Sequence, residues 1–322
     1  MLEKIIVLDP ITPDRADELR ALLPDGFYLE HGNSFDENHL KEIISDADYA
    51  ISGQIGVSGE VLKSATKLKL LHKWGVGVDN FDLKAAKQLG IKVARTTGSN
   101  ALSVAEYTLG LMISSLRGIG YGNFHLKLGD WRGITKLPTP TYQLSGKTIG
   151  IIGFGAIGQN LARLLRSFDV KILYSKRTPL KNDNEFRGYA SLASTDEILQ
   201  KSDIISLHCP LTEDTANLIG SAQFDKMKSN ALLINVARGG VVDEAALIEA
   251  LLANKIFGAA MDVFEIEPLP KDSPLYKLDN LLITPHLGAV TKDTFEPTVR
   301  RMFENISLTS RGLPIPENDI VL

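Results

Sequence analysis

Three polar residues stand just past apolar runs in this 322-residue chain, and together they could act on a carbonyl compound. Arg238 follows Ala231-Leu-Leu-Ile-Asn-Val-Ala and precedes Gly239-Gly240. Glu267, with Asp262 ahead of it, follows Gly258-Ala-Ala-Met, and His286 follows Leu281-Leu-Ile-Thr-Pro. An arginine fork binds a carboxylate through two parallel N–H groups and polarises an adjacent carbonyl. A histidine supplies a proton near neutral pH, and a carboxylate beside it keeps the ring protonated and aimed. In an open parallel sheet ligands sit beyond the carboxyl ends of the strands, which is where such residues belong. Each also has a plainer explanation. Arg238 could cap its strand or pair with Asp243, Glu267 could be a loop carboxylate before Pro268, and His286 could be a satisfied histidine after Pro285.

Their occurrence downstream of a nucleotide motif makes coincidence a poor account. An apolar run from Thr148 to Ile152 ends in Gly153-Phe154-Gly155-Ala156-Ile157-Gly158, and helical spacing of Leu161, Leu164 and Leu165 leads to a second apolar run, Val170 to Tyr174. Strand, glycine turn, helix and strand is the context in which GxGxxG binds a dinucleotide. Gly153 permits the tight turn, Gly155 lets backbone approach a pyrophosphate, and Gly158 lets the helix lie against the strand. The N-terminus of that helix offers unpaired N–H groups to the anion.

Cofactor choice is read at the end of the second strand. An NAD site places Asp or Glu about 20 residues on, to accept from the ribose 2′-hydroxyl. Here that place is Ser175, followed by Lys176 and Arg177. No carboxylate repels a 2′-phosphate, and a hydroxyl with two cations can bind one, so NADP(H) is favoured over NAD(H). A solvated basic turn is the bland alternative.

Other candidates are weaker. Lys73-Trp74-Gly75-Val76-Gly77-Val78-Asp79 also leaves a strand, and its glycines allow backbone N–H groups to converge on a carboxylate. His208 lies at a strand exit beside Cys209 and Pro210, where it is expected to line the cofactor cleft. His31, His39, His72 and His125 lack metal-ligand spacing and partners and are expected on surfaces, and no zinc pattern is present. Cys209 has no evident base to make it a nucleophile. Gly146-Lys147-Thr148 resembles the end of a phosphate-binding GK[ST] motif, but the first glycine would fall on Thr141 and the segment precedes a strand it should follow.

These residues need two α/β domains to position them, and the length allows two. Strands are expected near 4–8, 27–30, 48–51, 69–73 and 91–94, with helices near 13–22, 36–45, 58–64 and 82–88. Asn100 opens one long amphipathic helix, about 101–127, and Gly129 to Ser145, with Pro138 and Pro140, reads as an irregular connection. The nucleotide unit continues with strands near 203–207, 231–234, 257–261 and 281–283. A last helix, about 290–310, has no strand left to partner there and is expected to return to the first domain. The expected domains are 1–100 with 288–322, discontinuous, and 101–287. A formal charge of −4 gives no basic field for nucleic acid, and no apolar stretch reaches membrane-spanning length. The run Ile5 to Leu8, stopped by Asp9 and Pro10, is a strand and not a signal peptide. One cysteine excludes an internal disulfide and suits a reducing cytosol, so the protein is read as cytoplasmic.

Taken together the motifs resemble the D-isomer-specific 2-hydroxyacid dehydrogenases, over nearly the whole chain: KWGVGVDNFD, SNALSVAEYTLGLM, GKTIGIIGFGAIG, DIISLHCPLTEDT, MKSNALLINVARGGVVDEAALIEAL, GAAMDVFEIEP and LLITPHLG. The resemblance implies two doubly wound parallel-sheet α/β domains, a Rossmann cofactor domain inserted into a flavodoxin-like substrate domain, with a cleft that closes about two hinges and dimerisation through the cofactor domains. It implies catalysis by Arg238, Glu267 and His286, carboxylate binding at Val76 and Gly77 beside Lys73 and Trp74, and cofactor contacts at Ala156, Ile157, Cys209, Pro210, Thr215, Val236, Ala237, Asp262 and Gly288. Members acting on 3-phosphoglycerate carry Arg-Ser-x-Thr after the third strand; aligned through VSGEVL, this chain has Ser52-Gly53-Gln54-Ile55. No long regulatory domain is expected after residue 322 either. The implied reaction is hydride transfer between NAD(P)H and C2 of a small 2-oxo or 2-hydroxy acid, of glyoxylate or hydroxypyruvate type, with His72, Lys73 or Trp74 shaping the acid pocket. The alternatives are a D-3-phosphoglycerate dehydrogenase and, in another class, a dinucleotide-sensing interaction protein on the same fold.

Overall fold

A computed structural model describes residues 2–131, 140–178, 180 and 183–322. Pro138, in the expected irregular connection, lies outside the described residues. The chain forms two compact units, Met1–Asn100 with Val290–Leu322, and Ala101–Ala289.

The first unit alternates β1 (Glu3–Val7), α1 (Pro13–Arg20), β2 (Phe27–His31), α2 (Glu37–Ile44), β3 (Tyr49–Ser52), α3 (Gly59–Ser64), β4 (Leu70–Lys73), α4 (Leu83–Gln88) and β5 (Lys92–Ala94). Polar caps set the helix starts: Thr12, Asp36, Ser58 and Asp82 each accept from a first-turn N–H. The strands pair in parallel in the order β2-β1-β3-β4-β5, the flavodoxin-like arrangement. One face buries Ile6, Leu8, Ala50, Leu71 and Val93 under α2 to α4.

The second unit runs α5 (Ala101–Arg117), α6 (Ile119–Lys127), β6 (Thr148–Ile152), α7 (Ala156–Leu165), β7 (Lys171–Ser175), β8 (Ala190–Leu192), α8 (Thr195–Lys201), β9 (Ile204–Leu207), α9 (Ser221–Phe224), β10 (Leu232–Asn235), α10 (Glu244–Leu252), β11 (Gly258–Met261) and β12 (Leu281–Ile283). Its seven strands are parallel in the order β12-β11-β10-β9-β6-β7-β8, the doubly wound Rossmann order with one strand added at the β12 edge. Val104, Ala105, Met112 and Leu116 of α5 pack with Ile149, Ile151, Leu161 and Leu165 on one face.

The helix α11 (Lys292–Ser310) then returns to the first unit. Val299, Met302, Phe303 and Ile306 fill the second face of that sheet against Ile5, Val7, Leu70 and Ala94. Burying each such side chain contributes roughly 1.5–3 kcal/mol. The sheet would otherwise expose that face, which is why the chain must come back.

Two expectations need correction. The long helix over 101–127 is two helices, because Gly118 adopts φ +61°, a left-handed conformation that ends α5. The short edge strand β8 carries exposed Ser191 and Leu192 and has too little apolar pattern to be read from sequence. Among the described residues no helix is long and apolar enough to cross a membrane.

Candidate active site

The glycine motif behaves as its spacing requires. Gly153 has φ +97°, and a Cβ there would stand 2.5 Å from the Cys209 nitrogen, so only glycine fits. A Cβ on Gly158 would meet the Gly153 carbonyl at 2.6 Å. Gly155 caps α7 and has open space where its Cβ would be. The N–H groups of Ala156, Ile157 and Gly158 have no acceptor among the described residues, leaving a backbone cradle that fits a pyrophosphate. His208 stands at the neighbouring exit of β9, its Nε2 2.8 Å from Ser206 Oγ and its buried Nδ1 without a partner among the described residues. Burial pushes the His208 imidazole down to about 3, so it is neutral, and pushes the Cys209 thiol up to about 11, which denies it nucleophilic character. The Thr215 hydroxyl closes the next turn, donating to the Pro210 carbonyl at 2.6 Å and accepting from Thr212 N–H at 2.8 Å.

At the tip of β7, Ser175 and Lys176 are half-buried and Arg177 is exposed. Lys176 Nζ donates to the Phe154 carbonyl at 3.2 Å, tying the basic turn to the glycine turn.

The three residues first singled out lie at the exits of β10, β11 and β12. His286 Nδ1 is 2.6 Å from Glu267 Oε2, while Glu267 Oε1 accepts from the Phe264 N–H at 3.0 Å. Burial works to raise the Glu267 pKa, but the hydrogen bonds from His286 and Phe264, with the charges of His286 and Arg238, outweigh it and hold the carboxyl below its usual range. Glu267 is therefore ionised at neutral pH. Arg238 is half-buried and donates from Nη1 to the Ala237 carbonyl at 2.8 Å.

Several residues that sequence reasoning did not single out hold this arrangement. Asn235, fully buried at the end of β10, donates to the Arg238 carbonyl at 2.9 Å and accepts from the Ala237 N–H at 3.0 Å. Its signal was there to see: one amide inside an apolar run. Buried Val236 and Ala237, both among the expected cofactor contacts, follow it. The loops after β10 and β11 are pressed together at Gly239, where a Cβ would fall 1.9 Å from the Phe264 carbonyl carbon. Glu244 and Glu265 clip the same loops, each accepting the other's backbone N–H, at 3.1 and 2.6 Å. Burial, with the charges of Glu265 and Glu267, raises the Glu244 pKa.

Asp262 has a structural duty beyond the one its family position implies. It is 1% exposed, and its carboxylate accepts from Thr284 Oγ1 at 2.7 Å and from the N–H groups of Leu287 and Gly288 at 2.9 and 2.8 Å. Its carbonyl accepts from the His286 N–H at 2.9 Å. His286 sits at φ +53°, a backbone conformation that costs a non-glycine residue about 1–3 kcal/mol and persists only when its surroundings impose it. Asp262 and Thr284 are those surroundings.

The Lys73–Asp79 segment belongs to the other unit. Gly75 has φ +133°, and its carbonyl accepts from Thr96 N and Oγ1 at 2.9 and 3.2 Å. The N–H groups of Val76 and Gly77 have no acceptor among the described residues. Trp74 packs on Phe295. The Lys73 ammonium is buried and donates to the Gly53 carbonyl and, at 2.8 Å, to Asn80 Oδ1. The turn after β3 is held from its other side by Asp9, whose carboxylate accepts from the N–H groups of Gly53, Gln54 and Ile55.

The remaining histidines correct an expectation. His72 is fully buried, not on the surface. His31, His39 and His125 are half-buried and partnered, by the Gly32 carbonyl, the Asn33 N–H and Asp130 respectively. Among the described residues no cluster of His, Cys, Asp or Glu is placed to hold a metal ion.

Residues 109–288 match the family model for the NAD binding domain of D-isomer specific 2-hydroxyacid dehydrogenases. The chain belongs to this family. It is 36% identical over 97% of its length to the D-3-phosphoglycerate dehydrogenase of Archaeoglobus fulgidus, of which it spans only 58%. It is 38% identical over 80% of its length to the hydroxypyruvate reductase of Thermotoga maritima, spanning 83% of that protein. Among solved structures, the NAD-dependent formate dehydrogenase of Staphylococcus aureus in complex with NAD superimposes with a TM-score of 0.89 at 29% identity, over 99% of each chain.

Proposed function

We propose that this family member is an NAD(P)-dependent oxidoreductase that transfers a hydride between the nicotinamide and C2 of a small 2-oxo or 2-hydroxy acid, of glyoxylate or hydroxypyruvate type. The observation that carries the reading is the 2.6 Å contact between His286 Nδ1 and Glu267 in the unit that also holds the dinucleotide cradle. With Nδ1 committed to Glu267, the proton is delivered from Nε2. Arg238 binds the substrate carboxylate and polarises the C2 carbonyl. His286 protonates the forming alkoxide, and ionised Glu267 fixes the ring's tautomer and aim. The free N–H groups of Val76 and Gly77 take the substrate carboxylate. Ala156, Ile157 and Gly158 would hold the cofactor's pyrophosphate, and Cys209, Pro210, Thr215, Val236, Ala237 and Gly288 would line its remaining length. The bound nicotinamide supplies or accepts the hydride.

A panel of 2-oxo acids with each reduced cofactor tests this. Turnover of glyoxylate or hydroxypyruvate is the expected result; no turnover of any 2-oxo acid would leave dinucleotide sensing as the better account. Oxidation of 3-phosphoglycerate is the second reading, favoured by the name of the Archaeoglobus relative. Against it, Ser52, at the end of β3, stands where those members carry the phosphate-binding arginine of Arg-Ser-x-Thr.

For the cofactor we favour NADP(H), because Ser175, Lys176 and Arg177 offer a hydroxyl and two cations to a 2′-phosphate. Ser175→Asp should reverse the order of the Michaelis constants, since a carboxylate accepts from a 2′-hydroxyl and repels a phosphate. A tenfold preference of the unmodified protein for NADH, about 1.4 kcal/mol, would make the turn mere surface.

Ile119, Phe124, Leu126, Leu128 and Trp131 are exposed on and just after α6. A second copy of the chain is the occupant we assign to them, giving a homodimer. Sedimentation should therefore report twice the 35.2 kDa chain mass, and a monomer at micromolar concentration removes the assignment.

A further inference from the structure

A buried polar chain in the first unit has no part in the reaction proposed above. His72 Nε2 lies 3.0 Å from Asn305 Nδ2, and His72 Nδ1 lies 2.9 Å from the Lys73 carbonyl. The Asn305 amide nitrogen can only donate, so Nε2 accepts and the ring proton sits on Nδ1, from which it donates to Lys73. Asp319 decides which way the amide faces. Asn305 Nδ2 also donates to Asp319 Oδ2 at 3.2 Å, and the reverse orientation would set two oxygens against each other. Arg301 donates from Nε and Nη2 to Asp319 at 2.6 and 2.9 Å, and the Thr97 N–H donates at 2.9 Å. Burial works against ionised Asp319, but Arg301, Thr97 and Asn305 outweigh it and hold its carboxyl below the usual range. Burial pushes the His72 imidazole down to about 4, so the neutral ring persists at neutral pH.

What this chain reaches is the start of the glycine turn. The Lys73 carbonyl accepts from the Gly75 N–H at 3.0 Å as well as from His72, and the Trp74 N–H of the same peptide donates to the Ser52 carbonyl at 2.9 Å. That peptide leads directly into Val76 and Gly77. We propose that His72 is a positioning residue for the carboxylate-binding turn, with its Nδ1–H holding the Lys73 carbonyl and Asp319 selecting, through Asn305, the tautomer able to do so. The proposal rests on the substrate role given to Val76 and Gly77.

The test pairs two substitutions in the full chain. His72→Leu removes the donor, and His72→Asn returns an N–H near the place of Nδ1. Loss of one buried hydrogen bond at the turn should raise KM for the 2-oxo acid on the order of tenfold in His72→Leu, with kcat within about twofold and KM for the cofactor unchanged. His72→Asn should recover most of that loss. A His72→Leu protein that is only less heat-stable, with unaltered KM, overturns the proposal. Two readouts need neither turnover nor that variant. Nitrogen NMR of the unmodified protein should find His72 protonated at Nδ1, and the opposite tautomer overturns the proposal. Amide exchange at Trp74 and Gly75, the hydrogen-bonded amides of this turn, should quicken on the order of tenfold in Asn305→Leu, and unchanged exchange overturns it likewise. Should the protein reduce no 2-oxo acid at all, the substrate reading fails while these two measurements still judge His72.

Discussion

Replacing His286 with alanine should cut reduction of a 2-oxo acid on the order of 10²–10⁴-fold while leaving cofactor binding largely intact. The size follows from its task. The imidazole is the group held in place to give the alkoxide its proton, and water admitted to the gap is neither oriented nor charged. Cofactor affinity is spared because the cradle of Ala156, Ile157 and Gly158 is built on α7 and owes nothing to the β12 exit. Glu267→Gln separates aim from charge. The amide can still meet Nδ1, so the geometry is kept, but the imidazolium loses the anion beside it. Reduction needs the protonated ring, so the alkaline limb of its pH profile should move to lower pH in that variant. An unmoved limb would falsify the coupling of the two residues, whatever the distance between them.

Arg238→Lys should be the next most damaging change, lowering both turnover and substrate affinity. Lysine keeps the charge and loses the planar fork, so one point contact replaces two parallel hydrogen bonds to the carboxylate. The charge-assisted bond forfeited corresponds to about 1.5–3 kcal/mol, or roughly 10- to 100-fold in kcat/KM. Steady-state kinetics of the variant decide the matter, because near-normal constants would remove Arg238 from the site. The loss should not spread to folding, since Asn235 and Gly239 fix the backbone around this residue without its side chain.

Local pattern was enough for every strand but β8, for the glycine motif and for the candidate trio. Apolar runs ending in a polar residue mark strand exits, and in a parallel sheet every exit opens on the same edge. That is why Arg238, Glu267 and His286 could be grouped before any coordinate was known. The break at Gly118 escaped because glycine inside an amphipathic pattern is compatible with continued helix, and only the observed φ ends it. His72 was misjudged for the same kind of reason. Its burial depends on α11 closing over the sheet and on Asn305 and Asp319, more than 230 residues away in sequence, arriving to satisfy it.

The sequence by itself determined which side chains are available for chemistry and at which strand ends they emerge, because periodicity and turn chemistry are local. Tertiary structure alone decided which partners complete them. Asp262 spends its carboxylate on the loop that forces His286 to φ +53°, Glu267 turns one oxygen to that ring and the other to Phe264 N–H, and Asp9 clamps the turn after β3. A hydrogen bond is satisfied by whatever donor the fold brings within about 3 Å, and sequence separation does not enter its energy.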